Sequence, residues 1–181
     1  MTHDVEQTIA LLSRTPKVLD ALLRDMPDAW TRTDEGDGTW TPAAVVAHLN
    51  HTERKNWITR ARVILDAGEA RAFDPLDREG GAEDRQRPPL AEMLDEFARL
   101  RADSLRELRA MRLQPADLER RGRHPAFGGV TLSQLLATWA THDLTHLHQI
   151  SRVMAHQYAE AVGPWRVYLG VLKCAGHSER A

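Results

Sequence analysis

Apolar residues recur at helical spacing along four long stretches of the chain, and nothing shows a convincing strand alternation. The first stretch, about Val5 to Arg24, carries Ile9, Leu12, Leu19, Leu22 and Leu23 on one side, with Pro16 positioned to kink or split it. After a turn-rich segment, Asp34-Glu35-Gly36-Asp37-Gly38, Thr41-Pro42 gives a cap followed by a first-turn proline. The second helix is expected from Pro42 to about Ala67, ending at Gly68. A long polar connection, Phe73 to Pro88, contains Gly80-Gly81 and Pro88-Pro89. The third helix, about Pro89 to Arg112, places Leu90, Met93, Leu94, Phe97, Leu100, Leu108 and Met111 at core spacing. Another link, Gly122 to Gly129, leads to the fourth helix, opened by the capping box Thr131-Leu132-Ser133-Gln134 and reaching about Gln157. Gly163-Pro164 then begins a short fifth helix with Trp165, Val167, Tyr168, Leu169 and Leu172. The pattern predicts an all-α fold, a four-helix bundle with long crossover connections and a short C-terminal helix, as one domain over residues 1–181.

Polar residues interrupt two of these apolar faces. At 100° per residue, Leu135, Trp139, His142, His146, Ile150 and Val153 share one sector of the fourth helix. His142 and His146, one turn apart, have the spacing of paired metal ligands. On the second helix Val45, Leu49 and Val63 define the inward side, His48 lies at its margin, and Thr52, Glu53 and Asn56 occupy places where leucines are usual. A buried polar group left unpaired costs about 1–3 kcal/mol, so two such faces imply a site between the helices. His48 is the best candidate for a third ligand, with His51 as its rival; a surface role suits His51 better. His148 falls about 200° from His146 on the wheel and is not expected to bind. Gln149 returns to the edge of the His142 face, and Asp143 either supports a ligating imidazole or bonds to another helix. Trp40, Trp57, Trp139 and Trp165 read as packing anchors, with Trp57 turned outward, about 180° from His48.

Composition narrows the chemistry. The 181 residues are 42% hydrophobic and 28% charged, enough for a core without staples. A formal net charge of -2 gives no overall reason to bind nucleic acid or an anionic membrane, and Arg120, Arg121 and Arg123 read as a solvated turn. One cysteine, Cys174, excludes an internal disulfide and a cysteine-based zinc site, which fits a reducing cytoplasm. The N-terminus lacks the features of an export signal, and no apolar run approaches the ~20 residues that span a bilayer. Three imidazoles suit zinc, nickel, iron or copper and leave positions open for water and substrate.

Thr39-Trp40-Thr41-Pro42 followed by Val45-Val46-Ala47-His48-Leu49, and Leu135-Leu136-Ala137-Thr138-Trp139 leading into His142-Asp143-Leu144-Thr145-His146 and Gln149, resemble the DinB-like superfamily, which includes YfiT-type metal-dependent hydrolases. The resemblance covers nearly the whole chain. It implies a metal held by the histidine eight residues after the tryptophan, His48, and by the later pair His142 and His146. It also implies a divalent transition metal, zinc or nickel foremost and iron as a further choice, and a homodimer, for which the outward Trp57 and the apolar segment Trp165-Val167-Tyr168-Leu169-Leu172 offer the surface. Relatives of this kind include bacillithiol- or mycothiol-dependent S-transferases, a maleylpyruvate isomerase that uses mycothiol, and the iron-binding domain of an ergothioneine-pathway sulfoxide synthase. The expected function is a metal-dependent transfer of a low-molecular-weight thiol to an electrophilic small molecule, with Glu53, Asn56 and Gln149 orienting the substrate. The alternatives are a hydrolase using water in place of the thiol, and a non-catalytic metal-binding stress protein.

Overall fold

Each of the four expected helices forms, and two are interrupted. The computed structural model describes residues 3–36, 38–77 and 87–174; Asp37 and Gly80-Gly81 fall outside them. The first helix is split into α1 (Val5–Leu12) and α2 (Thr15–Leu23), with Pro16 in the first turn of α2, where its missing N–H costs nothing. A short helix, α3 (Asp28–Thr31), precedes α4 (Pro42–Lys55), whose cap Thr41 accepts a hydrogen bond from the Ala44 amide at 3.1 Å. Asn56 breaks the second helix, and α5 (Trp57–Ala67) resumes beyond it and ends at Gly68 with φ of 58°. The third helix is α6 (Leu90–Ala110), followed by one turn, α7 (Pro115–Leu118). The fourth is α8 (Leu132–His156), opened by the reciprocal hydrogen bonds of Thr131 and Gln134.

Helices α1 and α2 pack on α6 and α8, and α4 and α5 pack on the same two neighbours. The first and second long helices therefore stand diagonally opposed, and the chain crosses the bundle between them, as the long connections require.

Two sequence expectations are corrected. The link between the third and fourth helices contains an antiparallel hairpin, β1 (Arg121–His124) with β2 (Gly128–Thr131), in the register Arg121 to Thr131 and His124 to Gly128. Strands of four residues with a single β-branched apolar residue, Val130, are too short to display alternation. Gly122 lets the hairpin close on α5, since a Cβ there would lie 2.6 Å from Ile64 Cγ1. Arg120, Arg121 and Arg123 are exposed, as expected, and Arg121 faces Glu69. The expected fifth helix is instead two 3-10 segments, Gly163–Tyr168 and Gly170–Leu172, whose Trp165 and Tyr168 stay largely in solvent.

The core is divided in two. One cluster gathers Ile9, Leu12, Trp57, Ile64, Leu108, Leu136 and Trp139; the other gathers Leu19, Leu23, Val46, Leu49, Phe97 and Ile150. Between them, at one level of the bundle, lie buried polar residues from the second, third and fourth helices: Thr52, Glu53 and Asn56; Arg101 and Ser104; Asp143 and His146. Both helix interruptions, after Leu12 and at Asn56, fall at this level too.

Candidate metal centre

Packing of α4 on α8 brings His48 against the pair one turn apart on α8. His142 Nε2 lies 3.3 Å from Nε2 of His48 and 3.1 Å from Nε2 of His146. Ligand atoms of the three residues all fall within 4.8 Å of one another, and this is the one such group among the described residues. His48 and His146 are buried and His142 is half-buried. His148 is exposed, as the helical wheel predicts; His51 is not part of the group, but it is half-buried with Nε2 enclosed, a correction of the surface role expected of it.

The hydrogen-bond arithmetic of the trio does not close by itself. Nδ1 of His146 lies 2.8 Å from Gln149 Oε1, an acceptor, so that nitrogen carries the ring's proton and Nε2 presents a lone pair. His142 Nε2 has one valence for a proton but two nitrogen neighbours. With neutral rings, at most one of the two contacts is therefore a linear N–H···N hydrogen bond. A cation at the centre resolves the conflict, because all three nitrogens then point lone pairs at it. A proton cannot serve as that cation. Burial, with the neighbouring His146, His48 and Arg101, pushes the His142 imidazole down to about 2, and burial also lowers His146, against the opposing pull of Gln149 and Asp143. The rings are held neutral, the form that binds metal. The donor set therefore fits the divalent transition metal that the spacing predicts.

Two indoles wall the trio. The Trp40 ring centroid is 4.8 Å from that of His48 and 6.2 Å from His146, nearly parallel to the latter. Trp57 sets its ring edge to face against His142 at 5.1 Å and stacks on Trp139 at 5.8 Å. Trp57 is thus buried, contrary to the outward position expected of it. A regular wheel does not hold through Asn56, where φ of -105° and ψ of -72° depart from ideal helical values and the phase of the following residues changes.

Of the other predicted residues, Gln149 touches a trio histidine directly, and Asn56 is buried at the break beside Trp57 with Oδ1 lacking a partner. Glu53 is drawn into a cluster centred on Arg101, a residue the sequence reading missed. Arg101 Nε and Nη2 donate to Glu53 Oε1 and Oε2 at 2.9 and 3.0 Å, and Nη1 and Nη2 donate to Asp143 Oδ2 and Oδ1 at 2.5 and 3.0 Å. Nη1 also reaches the Leu12 carbonyl at 2.9 Å, an acceptor that the end of α1 leaves open. The guanidinium lies over Phe97 and Trp139, at 4.8 and 5.2 Å from the ring centroids. Burial works against its charge, but Glu53 and Asp143 outweigh that and hold its pKa above the ordinary arginine value. Of the two roles open to Asp143, this is the bond to another helix. A signal was present: Arg101 follows Phe97 and precedes Leu105 by one turn each, on the apolar stripe of α6.

A search among curated proteins finds no match. Among solved structures, the fold is similar to that of YfiT from Bacillus subtilis, described as a probable metal-dependent hydrolase with an unusual four-helix bundle topology. The TM-score is 0.71 at 23% identity, over 88% of this chain and 87% of that one. It is also similar to TT2238, described as a four-helix bundle protein, with a TM-score of 0.52 at 21% identity, over 82% of this chain and 98% of that one. These likenesses establish the fold. The sequence profile of the DinB superfamily matches residues 11–150, so the chain, with its bundle and its three converging histidines, belongs to the DinB superfamily.

Proposed function

We propose that this protein is a divalent-metal-dependent enzyme that transfers a low-molecular-weight thiol to a small electrophile, with His48, His142 and His146 holding the metal. The observation that carries the reading is the meeting of three imidazole Nε2 atoms, of which neutral rings can join only one pair by a linear hydrogen bond. When bound, the metal supplies a Lewis acid that lowers the pKa of a coordinated nucleophile. The chain's own residues fix the rest. Gln149 holds the His146 ring in one tautomer and orientation. Trp40 and Trp57 line the trio with aromatic faces that exclude water. Asn56 offers a buried amide oxygen to orient a bound molecule, and Glu53 acts through Arg101.

The choice of a thiol rests on the fate of the carboxylates. Glu53 and Asp143 each give both oxygens to Arg101, so neither is poised as a general base. Loss of the nucleophile's proton then falls to the cation, and a thiol with an ordinary pKa of about 8.5 needs less help than water at about 15.7. The second reading, hydrolysis, is favoured by the similarity to YfiT and its description. A non-catalytic metal-binding role is the third.

Metallated protein assayed with chlorinated, epoxide and ester substrates, with and without thiol, separates the three. Conjugates that need both metal and thiol support the transferase. Ester turnover that ignores thiol supports the hydrolase, and inactivity toward every class favours the binding protein. We further propose a cytoplasmic homodimer joined through the exposed C-terminal segment; no described helix is long and apolar enough to cross a membrane.

A further inference from the structure

The polar layer contains more fixed charge than its hydrogen bonds require. Two carboxylates, Glu53 and Asp143, share one guanidinium, and all three side chains are at most 2% exposed. An arginine cannot give up its proton, so the cluster balances one carboxylate and leaves the other in excess. Excess buried charge is costly unless an opposite charge lies close by, because the bundle interior screens it poorly. Among the described residues, the layer offers no second cation. Arg152, the other buried arginine, is paired with Glu35 at 2.8 Å.

The missing positive charge has an evident place. Asp143 follows His142 in sequence, and Trp139 and Trp57 form a stacked bridge from the Arg101 guanidinium to the His142 ring. We propose that Glu53, Arg101 and Asp143 form the built-in counter-charge of the metal centre, and that the remaining charge selects a singly charged anion as the ligand that joins the metal.

The charge count makes the selection concrete. Three neutral imidazoles and a divalent cation carry +2, and the cluster reduces this to +1. One monoanion brings the whole buried layer to zero, whereas a neutral ligand leaves +1 and a dianion leaves −1. A deprotonated thiol is a ligand of the required charge. The inference thus rests on the metal reading above and specifies the charge of what that metal accepts.

The test uses Co2+, whose visible spectrum reports coordination, with azide as the monoanion and imidazole as the neutral probe. The variants are Glu53→Gln and Asp143→Asn, which keep an oxygen acceptor toward Arg101 while removing the excess charge. Circular dichroism establishes that they are folded. In each, Co2+ affinity should fall about tenfold or more, while azide affinity of the Co2+-loaded protein rises by a comparable factor and imidazole affinity barely changes. Loss of hydrogen bonding alone would loosen the site and weaken azide as well, so the opposed signs identify the charge. Equal Co2+ and azide affinities in wild type and variants overturn the proposal. Should neither variant fold, the wild type decides. Its preference for azide over imidazole must exceed that of Co2+ in free solution, and an equal or smaller preference overturns the proposal. Failure of the wild type to take up Co2+ is a separate outcome, and it removes the metal reading itself.

Discussion

Gln149 Oε1 accepts a hydrogen bond from Nδ1 of His146 at 2.8 Å, one helical turn along α8, and thereby decides which nitrogen of that ring faces His142. Replacing Gln149 by Leu should leave the bundle folded, because the residue is only half-buried, while freeing the ring to adopt the other tautomer. Metal affinity is expected to drop by about 10–100-fold. Competition against a chromophoric chelator measures it, and an unchanged affinity would show that the ring needs no such support.

One metal per chain is expected after purification without a polyhistidine tag. His142→Ala and His146→Ala should each abolish it, and His48→Ala should do the same. His148→Ala and His51→Ala should bind normally, since the former is exposed and neither belongs to the converging group. Metal analysis by mass spectrometry decides. Binding lost in His51→Ala and kept in His48→Ala would reverse the choice of third ligand.

Acid should destabilise the metal-free protein through the same histidines. In the unfolded chain the imidazoles take up protons near their ordinary value of 6.5, whereas burial in the fold holds His142 down to about 2 and lowers His146. Between those values the unfolded state binds more protons, so stability rises with pH there. The contribution is complete above 6.5 and is lost progressively as the pH falls toward 2. Urea midpoints of the metal-free protein at about pH 8 and about pH 5 should differ, with the lower value in acid. Mutation of His142 to Phe should flatten the dependence, and an unaltered slope would place its origin elsewhere.

Trp57 discriminates between its two assigned positions. An outward indole costs little to remove, but the buried ring seen here, stacked on Trp139 and set against His142, should cost about 3–5 kcal/mol when cut to Ala. Denaturant unfolding gives the answer. A loss within about 0.5 kcal/mol would restore the outward position.

Association is expected through the C-terminal segment alone, since Trp57 is not available for it. Trp165 and Tyr168 are 71% and 79% exposed and Val167 is 62% exposed, an apolar grouping unusual for a monomer's surface. Light scattering should return twice the chain mass of 20.4 kDa, and Trp165→Ser with Tyr168→Ser should halve it. A wild type that scatters as a single chain at micromolar concentration refutes the dimer.

The histidine trio was legible because two of its members lie one turn apart on a strongly periodic helix and the third lies at the margin of another apolar face. Spacing survives wherever the helix is regular, which is why α6 and α8 were placed within a few residues. It fails where the backbone departs from 100° per residue, and Asn56 shifted the position of Trp57 for that reason. Arg101 was hidden by composition. Arg99, Arg106 and Arg109 stand on the same helix and face solvent, so one more arginine looked like surface although it lay on the apolar stripe. The hairpin was hidden by brevity, since four residues with two glycines carry almost no pattern.

The break after Leu12 carries a consequence for engineering. A carbonyl inside a continuous helix is taken by the amide four residues on; the interruption releases that of Leu12, and Arg101 claims it. Substituting Pro16 to knit α1 and α2 into one regular rod would be judged an improvement by helix propensity. It would also return the Leu12 carbonyl to its own helix and strip the guanidinium of its only neutral acceptor among those it reaches, leaving it held by two carboxylates alone. The discontinuity is therefore a component of the charged layer, contributed by the backbone, and a straighter chain would be a poorer host for the arginine beneath the metal centre.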